Sequence, residues 1–225
     1  MKAHVIAIDG PAGSGKSTVA HGVAAALGLD VLDTGAMYRA ATLAVLEQAV
    51  PVEDGDAVAQ TVRAARIAVG EHPGLVELDG RDVTSEIRGP EVTAAVSAVS
   101  AHPQLRRITV KQQRDWARRH GGGVVEGRDI GTVVFPDAVV KVFLTASDEE
   151  RARRRQRDEA AAARDTELTT VRDSITRRDA YDAGRSASPL KPADDALVLD
   201  TTGRTVDEVV DEIVLRYRDA VGVAR

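Results

Sequence analysis

Short continuous apolar runs alternate with helically spaced apolar positions along most of this chain, the pattern of a parallel sheet layered with helices. Val5-Ile6-Ala7-Ile8, Val31-Leu32, Val124-Val125 and Ala196-Leu197-Val198-Leu199 read as strands. Residues 139–144 are another, too continuously apolar to be half-exposed. Between them, helices are expected over residues 19–27, ended by Gly28, and over 40–50, stopping before Pro51. Further helical stretches cover 56–65, 90–101 and 104–119, the last with Leu105, Ile108, Gln112 and Trp116 on one side. Gly121-Gly122-Gly123 breaks the pattern before Val124. A highly charged helix over 148–163, a second over 168–183 and an extended loop over 186–192 follow. In the final helix Thr205 and Glu208 stand at capping-box spacing, and Val206, Val209, Val210, Ile213, Val214 and Tyr217 lay down a core stripe. The order predicts an α/β fold with a doubly wound parallel sheet of five strands.

Residues 66–88 depart from this alternation. Ile67-Ala68-Val69, Leu75-Val76-Glu77-Leu78 and Arg81-Asp82-Val83 are short strand-like pieces separated by His72-Pro73-Gly74 and by Asp79-Gly80, a tight-turn signal. They predict a small antiparallel sheet inserted into the α/β chain.

Composition narrows the class. A chain of 225 residues, 43% hydrophobic and 29% charged, can bury the core of one α/β domain. With no cysteine, disulfides and thiolate metal sites are excluded. No apolar run approaches membrane-spanning length, and the chain enters its first strand without a signal peptide, so a cytoplasmic protein with no membrane partner is expected. The net charge of −5 argues against a general nucleic-acid coat. Only five of the 30 basic residues are lysine, and the arginines crowd between 151 and 185. High GC content explains much of the excess but not the crowding; arginine's planar fork suits phosphate.

The chemistry enters at residues 10–17, Gly-Pro-Ala-Gly-Ser-Gly-Lys-Ser, which match G-x-x-x-x-G-K-[ST] between a strand and a helix. Gly10, Gly13 and Gly15 let the chain curl so that successive N–H groups face phosphate oxygens, and the helix dipole adds favourable field. Lys16 is placed to bridge the outer phosphates and Ser17 to ligate Mg²⁺. A bare glycine turn is the alternative, and the strand and helix around the motif favour a nucleoside triphosphate. No Asn-Lys-x-Asp guanine-reading element is present, and of the strands at 139–144 and 197–200 only the second ends in a carboxylate, Asp200. A small-molecule kinase remains. Such an enzyme needs positive charge around the transferring phosphoryl and exclusion of water. Arg151-Ala152-Arg153-Arg154-Arg155-Gln156-Arg157 is a candidate lid, with Arg151 and Arg155 on one face and Arg154 beside them. For most of these arginines, pairing with Asp148, Glu149, Glu150, Asp158 and Glu159 on a solvated helix face is the simpler reading.

Several segments together are similar to the bacterial cytidylate kinase family: residues 9–18; Leu32-Asp33-Thr34-Gly35-Ala36-Met37-Tyr38-Arg39; residues 126–136, opening Glu126-Gly127-Arg128-Asp129; and residues 177–185, followed by Ser188-Pro189-Leu190. The resemblance covers essentially the whole chain, and the insert matches that family's enlarged acceptor-binding region. It implies a single kinase domain over 1–225, with a core of 1–35, 98–147 and 167–225, a monophosphate-binding region at 36–97 and a lid at 148–166. It implies ATP as donor, Mg²⁺, and CMP or dCMP as acceptor, in pyrimidine nucleotide metabolism. Gly10, Pro11, Ala12, Gly13, Ser14, Gly15, Lys16, Ser17, Thr18 and Arg151 are then the expected donor site. Thr34, Tyr38, Arg39, Ser97, Arg106, Arg128, Asp129, Arg178, Asp182 and Arg185 are the expected acceptor site, with Ser97 and Arg106 on the cytosine and Asp182 on the sugar. Lys16, Arg128, Arg155, Arg178 and Arg185 are the expected catalytic cations. Small-residue packing at Ser97, with Ser100 as a competitor, and Arg107 in place of Arg106 stay open. Asp33 is either a structural carboxylate or an organiser of magnesium-bound water. A monomer is expected. The alternatives are a shikimate-type kinase and a phosphate-loop ATPase that binds nucleic acid. Against the second stand the acidic charge and the single tryptophan.

Overall fold

The computed structural model describes residues 4–72, 74–161, 167–185 and 188–222. Pro73 of the expected turn, residues 162–166 of the expected lid and residues 186–187 of the expected loop lie outside them. Along the chain run β1 (His4–Asp9), α1 (Lys16–Leu27), β2 (Val31–Asp33), α2 (Thr34–Glu47) and α3 (Gly55–Ala64). The insert contributes β3 (Ile67–Val69), β4 (Val76–Leu78) and β5 (Arg81–Asp82), followed by α4 (Pro90–Ala101) and α5 (Pro103–Arg119). Then come β6 (Gly122–Gly127), β7 (Val140–Thr145), α6 (Asp148–Ala161), α7 (Leu168–Ala183), β8 (Leu197–Asp200) and α8 (Val206–Val221).

Five strands form the main sheet in the order β2-β6-β1-β7-β8, and β3-β4-β5 form a second sheet. In the main sheet β1 runs parallel to β7 and β7 parallel to β8, with Ile6 opposite Val140 and Val142 opposite Leu197. The apolar runs of β1, β6 and β7 are buried as expected, with Val5, Ile6, Ala7, Ile8, Val124, Val125 and Leu144 in the core. In the edge strand β8, by contrast, only Leu199 is buried and Val198 is exposed. By its internal packing the chain divides into two units, Met1–Leu29 with Gly123–Arg225, and Asp30–Gly122.

In the first unit α8 buries Val209, Val210, Ile213 and Val214. Val206, in the first turn of α8, stays exposed, so the expected core stripe starts one turn later. The capping box is formed: Thr205 N–H donates to Glu208 Oε2 at 2.8 Å, and Glu208 N–H donates to Thr205 Oγ1 at 3.3 Å. In the second unit Tyr38, Ala41, Val45, Val58, Val62, Val96, Val99 and Leu105 close a core between helices. The insert is antiparallel, with Val69 opposite Val76, and its turn places Asp79 and Gly80 at φ of 54° and 82°. That left-handed pair is the conformation Asp-Gly sequences favour.

Two boundaries and one helix face depart from expectation for local reasons. Helix α2 begins at Thr34, well before residue 40, because Asp33 accepts the Ala36 N–H at 2.9 Å and caps it. Gly122 and Gly123 open β6 instead of breaking before it. On α5 the buried positions are Leu105, Arg106, Thr109, Gln113, Trp116 and Ala117, so Gln113 replaces the expected Gln112. Polar side chains on a core face had blurred that period.

Candidate active site

The loop between β1 and α1 turns through three glycines with left-handed backbone, Gly10, Gly13 and Gly15. At Gly13 an added Cβ would lie 2.7 Å from the carbonyl oxygen of Arg151, so only glycine lets α6 approach the loop this closely. Lys16 folds back over the loop, its Nζ donating to the Pro11 carbonyl at 2.7 Å, where Ser14 Oγ also donates at 3.0 Å. Burial holds the Lys16 ammonium well below the ordinary lysine range, with Arg128 adding to the shift. The Ser17 hydroxyl donates to Glu126 Oε2 at 2.9 Å. Glu126 ends the apolar part of β6 and is itself buried.

Beside the loop, the segment after β6 and the end of α7 gather Arg128, Arg178 and Arg185 around Asp182. Asp182, only 1% exposed, receives Arg128 Nε at 3.2 Å and Arg185 Nη2 at 2.5 Å. Among the described residues Arg178 makes no such pair, and its buried Nε has no hydrogen-bond partner. Its guanidinium is lowered to about 10, first by burial and then by Arg128, with Arg155 adding to the effect. Arg155 itself pairs with Glu159 at 3.1 Å. Asp129 is buried, and Asp9 nearby accepts the N–H groups of Ile130 and Gly131 at 2.8 and 2.7 Å. Desolvation nevertheless raises Asp9 to about 6.

The charged helix α6 sorts its arginines. Arg153 pairs with Glu149 on the exposed side, as a solvated face would. Arg154 turns inward to Thr201, donating to its Oγ1 and carbonyl at 2.9 Å each. Arg151 donates to the Ala12 carbonyl at 3.0 Å and pairs with Asp148 and Asp179.

Within the second unit another group gathers on α2, α4 and α5. Arg39 donates to the Ile87 carbonyl and to Thr93 Oγ1, both at 2.9 Å. Arg106 donates to the Ser100 carbonyl at 3.2 Å and lies 5.1 Å over the Tyr38 ring. The Tyr38 hydroxyl accepts from Thr109 Oγ1 at 2.8 Å. Thr34 is buried, Ser97 is half-buried and Arg107 is exposed. Asp33 serves the structural alternative as the cap of α2, with Arg88 at 3.8 Å.

Lys16, Ser17, Arg128, Arg178, Asp182 and Arg185 are thus brought together in the first unit. Thr34, Tyr38, Arg39 and Arg106 belong to the second. Glu126, Asp179, Asp9 and Thr201 went unassigned in the sequence. For Glu126 a signal existed: the apolar Val124-Val125 run ends on a carboxylate.

A glycine-turned loop at a helix N-terminus, a buried lysine over it and Arg128, Arg178 and Arg185 gathered beside it are the arrangement of a phosphate-loop phosphotransferase. The sequence model described as "Cytidylate kinase" matches residues 6–219. The chain belongs to the cytidylate kinase family. It is 51% identical over 223 residues to a cytidylate kinase of Mycobacterium avium, covering 98% of each chain. It is 50% identical over 212 residues to a cytidylate kinase of Corynebacterium efficiens, covering 93% of this chain and 92% of that one. An uncharacterized protein from Eubacterium ventriosum shares the fold, with TM-score 0.50 and 14% identity over 96% of this chain and 98% of that one.

Proposed function

We propose that the ATP-dependent phosphorylation of CMP expected of this family is divided between the residue groups described above. ATP is the donor: the N–H groups of the loop cradle its phosphates and Lys16 leaves the Pro11 carbonyl for the outer phosphates. A CMP phosphate oxygen attacks the γ-phosphorus, the bond to the β,γ-bridging oxygen breaks, and CDP and ADP result. The attacking oxygen is already anionic, so no general base is needed and positioning carries the step. Arg128, Arg178, Arg185 and Arg155 stabilise the charge on the transferring phosphoryl. Thr34, Tyr38, Arg39, Ser97, Arg106, Asp129 and Asp182 hold the acceptor, Ser97 and Arg106 at the cytosine edge and Asp182 at the sugar. With the 2′-position read by a single carboxylate, dCMP is accepted as well.

The observation that supports this reading is the gathering of Lys16, Arg128 and Arg178 at the loop, where Arg128 and Arg155 depress Arg178 while Asp182 and Asp179 act the other way. Such repulsion persists in a fold when a polyanionic ligand relieves it.

Mg²⁺ fits the donor chemistry. The Ser17 hydroxyl and Glu126 carboxylate stand 2.9 Å apart, while no group of three or more His, Cys, Asp or Glu among the described residues forms a metal cage. An ion held by one or two protein oxygens and the donor's phosphates suits magnesium. When bound it neutralises charge on the β- and γ-phosphates. Asp33, as the cap of α2, is then left to structure.

Residues 36–97 serve as the acceptor-binding region and 148–166 as the lid, with the remainder of 1–225 as the core. No helix among the described residues is long and apolar enough to cross a membrane, and we place the enzyme in the cytoplasm as a monomer, in pyrimidine nucleotide metabolism. The test is ADP release from ATP with CMP, dCMP, UMP, AMP and GMP in turn. CMP and dCMP are expected to dominate; equal turnover of AMP or UMP would remove the acceptor assignment.

A further inference from the structure

Two consecutive peptide planes of the phosphate loop are gripped from outside by a single ion pair. The Ala12 N–H donates to Asp179 Oδ1 on α7 at 3.1 Å. The carbonyl of that same peptide is Pro11 O, the acceptor for Lys16 Nζ and Ser14 Oγ. In a planar trans peptide the N–H and C=O point in opposite directions, so an anion on the N–H aims the carbonyl away from itself. The next peptide is held by its other end. Arg151 Nη1 donates to the Ala12 carbonyl at 3.0 Å, which aims the Gly13 N–H away from Arg151. Arg151 Nη1 also pairs with Asp179 Oδ2, closing a ring of Ala12, Asp179 and Arg151. Asp148, in the first turn of α6, holds the Arg151 Nη2 at 2.6 Å. The ring is well shielded, with side-chain exposures of 8% for Arg151 and 16% for Asp179.

We infer that Asp179 is a positioning residue for the donor site, acting with Arg151 to fix the Pro11–Ala12 and Ala12–Gly13 peptides before nucleotide arrives. The inference rests on the loop being the ATP site. Arg151 is then spent on the protein: its donors go to Ala12, Asp148 and Asp179, which makes it a partner of the loop and not a phosphate ligand. Arg178, next in sequence to Asp179, stays among the cations available to the phosphates.

Direct ADP binding by calorimetry, without acceptor, isolates the donor site. Asp179→Ala is expected to weaken ADP about tenfold or more and to raise the KM for ATP alike, the worth of a charge-assisted hydrogen bond. The KM for CMP should stay within twofold. Asp179→Asn keeps an acceptor for the Ala12 N–H but loses the ion pair, and should fall between; being isosteric, it carries the test if the alanine variant does not fold. Arg151→Met should match Asp179→Ala, and the double variant should be no worse than either single one, because the ring fails as a unit. ADP binding within twofold of wild type in Asp179→Asn and Asp179→Ala would overturn the inference. So would losses that multiply in the double variant, or a proportional rise of both KM values with a lowered Tm. A wild-type protein that binds ADP but leaves CMP unphosphorylated would overturn the acceptor reading alone.

Discussion

Arginines are buried in both units, but on opposite terms. Arg39 and Arg106 in the second unit rest on carbonyl oxygens, a threonine hydroxyl and the Tyr38 ring, acceptors that belong to the fold. In the first unit Arg178 and Arg128 push against one another and against Lys16, with Asp182 shared between Arg128 and Arg185. The first arrangement builds structure and presents a shaped surface. The second sets cations against one another, with Asp182, Asp179 and Glu126 offsetting part of the repulsion and a bound phosphate expected to offset more. Activity and stability should therefore separate in the first unit and fall together in the second.

The largest expected effect is at Lys16. Lys16→Met should reduce kcat/KM by about 10³-fold or more in an ADP-release assay, since it removes the ammonium proposed to meet the outer phosphates. Its Tm should not fall, because an unfavourably buried ammonium is removed. Retained turnover in Lys16→Met would break the account of the loop.

Arg106→Ala tests the other side of the comparison. It leaves the Ser100 carbonyl without this donor and uncovers one face of Tyr38. A loss of about 1–3 kcal/mol in denaturant unfolding is expected, together with a raised KM for CMP and an unchanged KM for ATP. Arg39→Ala should behave alike. Wild-type stability in both variants would erase the distinction between the units.

The smallest effect is a proton. With the folded Lys16 value lowered, the native state binds fewer protons than the unfolded chain between that value and 10.5. Its share of stability therefore rises with pH across that window. Bound phosphates favour the ammonium, so ADP binding at about pH 8 should take up a fraction of a proton, seen by calorimetry in buffers of different ionisation enthalpy. The uptake should shrink toward about pH 6 and vanish in Lys16→Met. Uptake that persists in Lys16→Met assigns the proton elsewhere.

What the sequence could tell depended on whether a residue's role was local. The loop was legible because its glycines, lysine and serine are contiguous. The strands were legible because burial on both faces leaves uninterrupted apolar runs. The boundary of α2 was not, since a capping aspartate looks like any other acid before a Thr-Gly pair. On α5 the core face carries Arg106, Thr109 and Gln113, so its hydrophobic period pointed one residue away, to Gln112. Arg151 and Arg155 share a helix face in the sequence, yet one grips the loop and the other pairs with Glu159. That difference depends on Asp179 and Ala12, which are distant from each other in the chain. Asp179 was hidden for the same reason: one partner, Arg151, is distant in the chain, and the other is a backbone amide, which no pattern of side chains records.

The most direct test is one variant read two ways. In Arg178→Ala the account predicts that kcat for CMP phosphorylation falls by about 10²-fold, on the order of 3 kcal/mol in the transition state, while Tm holds or rises as repulsion with Arg128 is relieved. Near-wild-type turnover accompanied by a lowered Tm would contradict it, and would make Arg178 a structural arginine like those of the second unit.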